Sequence, residues 1–188
     1  MQAFVTGYGP GAVRQTLLRA AAYFNLKHRR TKPMSTQHFV NEVQINCDPE
    51  SVFEYVTNPD RWHEWYPSSQ PSDKEQRASE VGQKFEIVTV QKPIKLIPFT
   101  IKKTLTYTVS KSEHARSWEI NATSDLVDST TSYTLTPLAN GTSFKREFRY
   151  VTKSWLTIVE PILLRKSIIA QARAGLNNLK AMVESKSA

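Results

Sequence analysis

Hydrophobic and polar positions change period twice between Phe39 and Ser68, and each change is punctuated. Phe39, Asn41, Val43 and Ile45 alternate with Val40, Glu42, Gln44 and Asn46, the period of a strand packed mainly on one face. Asp48 then precedes Pro49. A side-chain acceptor followed by a proline that tolerates the first helical position is a helix start. Val52, Phe53 and Val56 give that helix an apolar stripe. Asn58-Pro59 repeats the start signal ahead of an aromatic stripe of Trp62, Trp65 and Tyr66. One strand followed at once by two short helices predicts a sheet whose mouth is closed by helices, where small-molecule pockets tend to lie.

Downstream the period of two dominates. A weak strand is expected over Ser72–Ala78. Lys84–Val90 sets Phe85 and Ile87 on one face. Phe99–Ser110 is the clearest strand, because Phe99, Ile101, Leu105, Tyr107 and Val109 alternate with mostly threonine and serine, as in an antiparallel strand with one face in water. Arg116–Ala122 puts Trp118 with Ile120, and Thr130–Leu138 puts Tyr133 with Leu135. Ser143–Val151 puts Phe144 with Phe148 and Tyr150. Asn140-Gly141 between the last two reads as a hairpin turn. About seven strands with short links favour an antiparallel meander over βαβ units.

After Tyr150 the period becomes 3.6. Pro161 fits a first turn, and Leu164, Ile168, Ala172, Leu176, Leu179 and Val183 recur at steps of three and four. This predicts one helix over 161–185 with a single apolar face, which belongs across the apolar face of the sheet. The class is therefore α+β. Gly175 inside this helix costs about 1 kcal/mol relative to alanine. Close backbone packing and room for a ligand are the two explanations for it.

With 188 residues, 39% hydrophobic and 22% charged, the chain fits one ordinary globular domain. It contains no run of about 18 apolar residues of the kind that crosses a membrane. Its single cysteine, Cys47, excludes an internal disulfide framework and fits a reducing compartment, so a cytoplasmic location is expected. The net charge of +8 divides unevenly. Residues 1–37 hold six of the 25 Lys+Arg and no acid; residues 38–188 hold the other 19 against all 17 Asp+Glu, or +2. A nucleic-acid-binding domain carries its basic stripe on the folded body, so no nucleic-acid partner is expected.

The basic segment 1–37 is read as an appendage to a domain spanning 38–188. Val13, Leu17, Ala20, Ala21 and Phe24 fall on a helical stripe ahead of Lys27-His28-Arg29-Arg30. Three readings compete: an amphipathic helix resting on a membrane surface or protein partner, an Arg-rich targeting peptide, or a segment outside the working protein, with Met34 a credible start.

Catalytic signatures are mostly absent. His63-Glu64 begins like HExxH, but the fifth position is Pro67. The four histidines and Cys47 show no metal-ligand spacing. Neither a G-x-S-x-G elbow nor a phosphate loop occurs. No catalytic residue, metal or cofactor is therefore assigned. The polar candidates come from strand parity. Lys103 shares a face with Leu105 and Tyr107, and Arg146 shares one with Phe144 and Phe148. A charge pointing into an apolar interior is costly unless paired or hydrated, so either could anchor an acidic or carbonyl head group. A snorkelling rim residue or an ordinary salt bridge is the plainer alternative.

The order of strand, two short helices, six strands and a long helix resembles the START-like (SRPBCC) superfamily with its helix-grip fold, in the polyketide cyclase/dehydrase and lipid-transport branch. The resemblance rests on VNEVQINCDPESVFEYVTNPDRWHEWYPS at 40–68, VGQKFEI at 81–87, SYTLTPLANGTSFKREFRYV at 132–151 and the helix beginning PILLRKSIIAQ at 161. It implies a seven-stranded curved antiparallel sheet wrapped around the C-terminal helix, with a large apolar cavity between them. Inward parity then names the wall: Phe85, Tyr107, Trp118, Tyr133, Phe148, Ile168 and Leu176, with Lys103 and Arg146 as polar anchors. Two functions follow, with a weaker third, a protein-partner module whose cavity is merely filled with side chains. One is binding or transport of a hydrophobic small molecule or lipid. The other is a cyclase or dehydratase acting in the same cavity. The missing acid/base pair favours the binder over the enzyme.

Overall fold

A computed structural model describes residues 34–91, 101–125, 127–153, 156–163 and 165–187. The alternation seen from Phe39 starts earlier, in β1 (Ser35–Ile45). Ser35, Thr36 and Gln37, read from sequence as the end of the appendage, already pair with Thr152, Val151 and Tyr150. Residues 1–33 lie outside the described residues.

β2 (Lys84–Gln91), β3 (Ile101–Glu113), β4 (Ser117–Thr123), β5 (Val127–Leu138) and β6 (Gly141–Thr152) complete one antiparallel sheet. The order is β1-β6-β5-β4-β3-β2. The last strand therefore returns beside the first, which makes β1 and β2 the two edges. Among the described residues six strands form, where seven were expected. The expected strand at Ser72–Ala78 is irregular, because β2 takes its edge partners elsewhere. Gln70 N donates to Val88 O and Val90 N to Ser68 O, around the single bridge Ser69–Thr89. The Gln76 side chain then stands in for a strand: Glu86 N donates to Gln76 Oε1 at 2.7 Å and Gln76 Nε2 to Glu86 O at 3.0 Å.

Both helix starts between β1 and β2 form. Asp48 Oδ1 accepts from Ser51 N at 2.9 Å and begins α1 (Pro49–Val56). Asn58 Oδ1 accepts from Asp60 N, but the expected second helix is only a 3-10 turn, Pro59–Arg61, and one α turn, α2 (Trp62–Trp65). The turn before β6 also differs. Leu138 pairs with Gly141, so Ala139 and Asn140 are its two central residues. Gly141 has φ +126°, and a Cβ there would lie 2.1 Å from the Ile45 carbonyl oxygen, so only glycine lets β6 pass β1 this closely.

At the C-terminus, α3 (Leu156–Leu163) precedes α4 (Arg165–Ser187). Pro161 sits inside α3 and not at a helix start. In LTIVEPIL the expected sides are exchanged: Glu160 is buried and Ile158 is 58% exposed, so its polarity does not mark which side faces the core. Ala172, Leu176, Leu179 and Val183 bury the apolar face of α4 against the sheet, while Leu164 lies outside the described residues. α4 also covers part of the β1 edge. Lys180 Nζ donates to Gln44 O at 2.6 Å, and Asn46 N donates to Glu184 Oε1 at 2.7 Å. Such contacts blunt an edge that would otherwise offer unpaired backbone groups.

Candidate functional site

The interior between sheet and α4 divides into a packed part and a polar part. In the packed part, neighbouring strands place Phe85 opposite Tyr107 and Trp118 opposite Tyr133. Phe85 stacks on Tyr107 at 5.2 Å and on Trp118 at 6.1 Å, and Trp118 stacks on Tyr133 at 5.3 Å. Trp62 closes over them, edge-on to Phe85, Tyr107 and Trp118 at 5.5, 5.7 and 6.1 Å. Both indoles are satisfied: Trp62 Nε1 donates to Val56 O at 2.9 Å and Trp118 Nε1 to Ala78 O at 2.7 Å. Phe85, Trp118, Tyr133 and Leu176 are thus buried core residues. Tyr107, Phe148 and Ile168 are only half-buried.

Arg146 occupies the polar part. Its residue is 5% exposed. β6 lies between β1 and β5, so Arg146 has Asn41 across one ladder and Tyr133 across the other. Its guanidinium carbon lies 5.3 Å from the Tyr66 ring centroid and 5.1 Å from that of Phe148, distances at which a cation is held by ring faces. Among the described residues no carboxylate forms an ion pair with it; the Tyr133 hydroxyl is a side-chain partner of the guanidinium, while its Nε–H has no hydrogen-bond partner. Two further buried polar atoms nearby in the fold are also unpartnered, Asn41 Oδ1 and Trp65 Nε1. Native interiors satisfy nearly all such atoms.

The charges here are fixed. Burial alone would lower the Arg146 pKa, but Tyr66, Tyr133 and Tyr107 outweigh it and the net direction is upward, so the guanidinium stays protonated. Burial first, with Tyr66 and Tyr133 adding to it, raises the Tyr107 hydroxyl; burial pushes Tyr133 up to about 12. Both remain neutral hydroxyls at ordinary pH. The arrangement is a permanent cation with neutral hydroxyls around it, able to receive an oxyanion or a strongly polarised carbonyl.

Lys103 is not part of this group. It is exposed, and two strands, β4 and β5, lie between its strand and that of Arg146. Its backbone carbonyl accepts from Thr89 Oγ1 at 3.1 Å. Gly175 is explained by packing: a Cβ there would lie 3.0 Å from Tyr66 Cδ2. The backbone of α4 is therefore the surface against which Tyr66 rests while its ring faces Arg146. Tyr66, Trp65 and Asn41 were not singled out as site residues from sequence. Asn41 carried a readable signal, being the one polar residue in the inward row Phe39, Asn41, Val43, Ile45.

A second buried charge lies elsewhere. Glu160 of α3 is 0% exposed. It accepts a close hydrogen bond from the Tyr150 hydroxyl and two from Arg165, Nη2 at 3.1 Å and Nε at 3.4 Å. One open hollow, about 790 Å³, is lined by Asp48–Glu50, the β3–β4 turn and residues 134–137, and another of about 300 Å³ lies beside Tyr55 and Lys186. None of the nine sequence-predicted residues lines either. Among the described residues, no helix is long and apolar enough to cross a membrane.

Residues 36–184 match the family described as polyketide cyclase / dehydrase and lipid transport. The chain belongs to that family. Solved structures repeat the fold at low identity. The protein of unknown function SA2116 from Staphylococcus aureus has TM-score 0.62 at 10% identity, covering 82% of this chain and 97% of that one. The di-domain ARO/CYC StfQ of the steffimycin biosynthetic pathway has TM-score 0.62 at 18% identity, covering 97% of this chain and 63% of that one. Norcoclaurine synthase from Thalictrum flavum, a point mutant in complex with a transition-state analogue, has TM-score 0.56 at 14% identity, covering 84% of this chain and 100% of that one. Among curated proteins no sequence matches. Membership of the polyketide cyclase / dehydrase and lipid transport family accounts for the helix-grip arrangement. At these identities the likeness to solved structures extends to the fold alone.

Proposed function

We propose that this chain binds a hydrophobic small molecule or lipid between the sheet and α4, holding the ligand's polar end at Arg146. The observation that carries this reading is a buried guanidinium with no carboxylate partner among the described residues and an unpartnered Nε–H. An uncompensated buried charge is strongly destabilising, and a binding protein keeps one where the ligand supplies the counter-charge. The half-buried Tyr66, Tyr107, Phe148 and Ile168 supply apolar surface for the rest of the ligand.

The second reading, a cyclase or dehydratase in the same place, draws support from Tyr107 and Tyr133. Their hydroxyls stay protonated and could donate to a ligand carbonyl polarised by Arg146. Such an enzyme also needs a base. Among the described residues the histidines His38, His63 and His114 are exposed, and the buried Glu160 is committed to Tyr150 and Arg165.

The test is a titration with a fluorescent fatty acid and its uncharged methyl ester, using the wild type, Arg146→Met and Lys103→Met. The acid should bind the wild type more tightly than the ester. A charge-assisted hydrogen bond is worth about 1.5–3 kcal/mol, so Arg146→Met should weaken acid binding roughly 10- to 150-fold and leave the ester nearly unchanged. Lys103→Met, at an exposed position, should change neither. Equal binding of acid and ester, with no loss in Arg146→Met, refutes the anchor.

A further inference from the structure

We infer that Asn41 is a specificity residue, and that the site selects an oxyanion carrying a hydroxyl on the neighbouring carbon, as in a long-chain 2-hydroxy acid. The inference rests on the Arg146 anchor proposed above and extends it from the charge of the ligand to its substitution pattern.

The argument starts from register. Asn41 and Arg146 are direct cross-strand partners, and facing side chains on one side of a sheet stand about 5 Å apart at Cβ. Both belong to inward rows, with Phe39, Val43 and Ile45 on β1 and Phe144 and Phe148 on β6. Asn41 Oδ1 is a buried acceptor without a donor, and Arg146 Nε–H is a buried donor without an acceptor. Two complementary groups on facing residues that do not satisfy each other leave a donor–acceptor pair for a third molecule.

The chemistry of each half is distinct. The guanidinium carbon of Arg146 lies over the rings of Tyr66 and Phe148. A guanidinium offers its N–H groups in its own plane, and Nε is the one closest to its own backbone. A short side chain such as asparagine can reach that level. Nε–H takes a ligand oxyanion, and Asn41 Oδ1 takes a proton donor. Fatty acid carboxylates have no such donor. A 2-hydroxy acid has one, next to the carboxylate. Trp65 Nε1–H, also buried and unpartnered, is a second donor for the oxyanion: its ring lies 5.6 Å from Tyr66 and 6.5 Å from Tyr133.

The experiment is displacement of a fluorescent fatty acid by hexadecanoate, by each enantiomer of 2-hydroxyhexadecanoate, and by methyl hexadecanoate. Wild type, Asn41→Leu, Asn41→Ala and Arg146→Met are compared. One enantiomer of the hydroxy acid should bind wild type about tenfold more tightly than hexadecanoate, the worth of one added hydrogen bond to a desolvated acceptor. Asn41→Leu and Asn41→Ala should erase that preference while keeping the preference for acid over ester. Arg146→Met should weaken both acids together. If wild type prefers the acid to the ester but binds hexadecanoate and both hydroxy acids equally, the role of Asn41 is overturned and the anchor stands. If wild type binds acid and ester equally or binds none of them, the anchor is overturned and the inference with it. The wild-type comparison alone decides the matter if an Asn41 variant fails to fold.

Discussion

Glu160 and Arg146 are both buried charges, and they differ in whether the fold answers them. Glu160 has a tyrosine hydroxyl and a bidentate arginine on it. Arg146 has two ring faces, the Tyr133 hydroxyl and no carboxylate among the described residues. A satisfied buried charge ties elements together, here α3 and α4 to the end of β6. One without a counter-charge costs stability in the free protein, and under the proposed function the ligand offsets that cost. The two groups should therefore respond in opposite ways to removal.

The largest effect is expected at Glu160. Glu160→Ala leaves the buried Tyr150 hydroxyl without its acceptor and opens space under α3. Leaving a buried donor without its acceptor typically costs about 1–3 kcal/mol, or on the order of 5 °C in Tm for a domain of this size, while Arg165, with its side chain 37% exposed, keeps water as a partner. Urea denaturation with a thermal melt measures both. Arg146→Met should show the contrary pattern, with stability unchanged or raised by about 1 kcal/mol, since an apolar group of similar length often replaces a buried charge without loss. The deficit should appear in ligand binding instead. Comparable destabilisation in the two variants would break the contrast and make Arg146 a structural residue.

Sequence parity placed Arg146 on the inward face, because a strand has only two faces and the neighbours Phe144 and Phe148 identify the buried one. The same parity put Lys103 on an inward row, where it is exposed. Parity chooses a face, and position along the strand decides burial. Lys103 sits near the open start of β3, while Arg146 is mid-strand. Capping residues fixed where α1 begins, since Asp48-Pro49 is a local signal. The missing seventh strand was not readable, because Gln76 replaces a backbone ladder with a side-chain amide. α3 was hidden because its polarity runs against its burial, with Glu160 inside and Ile158 outside. Tyr66 meets Arg146 only through tertiary packing between residues far apart in sequence.

A smaller effect concerns pH and sharpens what kind of site Arg146 forms. Arg146 stays cationic, and Tyr133 stays neutral until its pKa of about 12. Binding of a carboxylate probe should then be flat between about pH 6 and 9. Stability carries the signature of Tyr133. Its folded pKa lies above the unfolded value of about 10, so the folded state holds the proton more tightly. That contribution is complete below about pH 10 and is lost as pH rises toward 12. Tyr133→Phe should flatten the alkaline slope. A bell-shaped binding profile centred near pH 7 would instead require a titrating group at the site and would favour the enzymatic reading.

The smallest effect isolates the cradle from the charge. Gly175→Ala adds a methyl 3.0 Å from a Tyr66 ring carbon and 3.7 Å from Pro67 Cδ. Alanine improves the helix by about 1 kcal/mol, and the tight contact opposes it, so net stability should move by less than about 1 kcal/mol. Tyr66 must shift by a few tenths of an ångström, and it is the ring that holds one face of Arg146. Cation–π contacts of this kind are worth about 0.5–2 kcal/mol, so partial loss should change acid binding only a few-fold while ester binding stays level. Tyr66→Leu, which removes the ring, should change acid binding in the same direction and further. If Gly175→Ala alters stability but not the acid-to-ester ratio, Tyr66 is ordinary packing. If it alters the ratio alone, the backbone of α4 sets the geometry of the cation through a single ring.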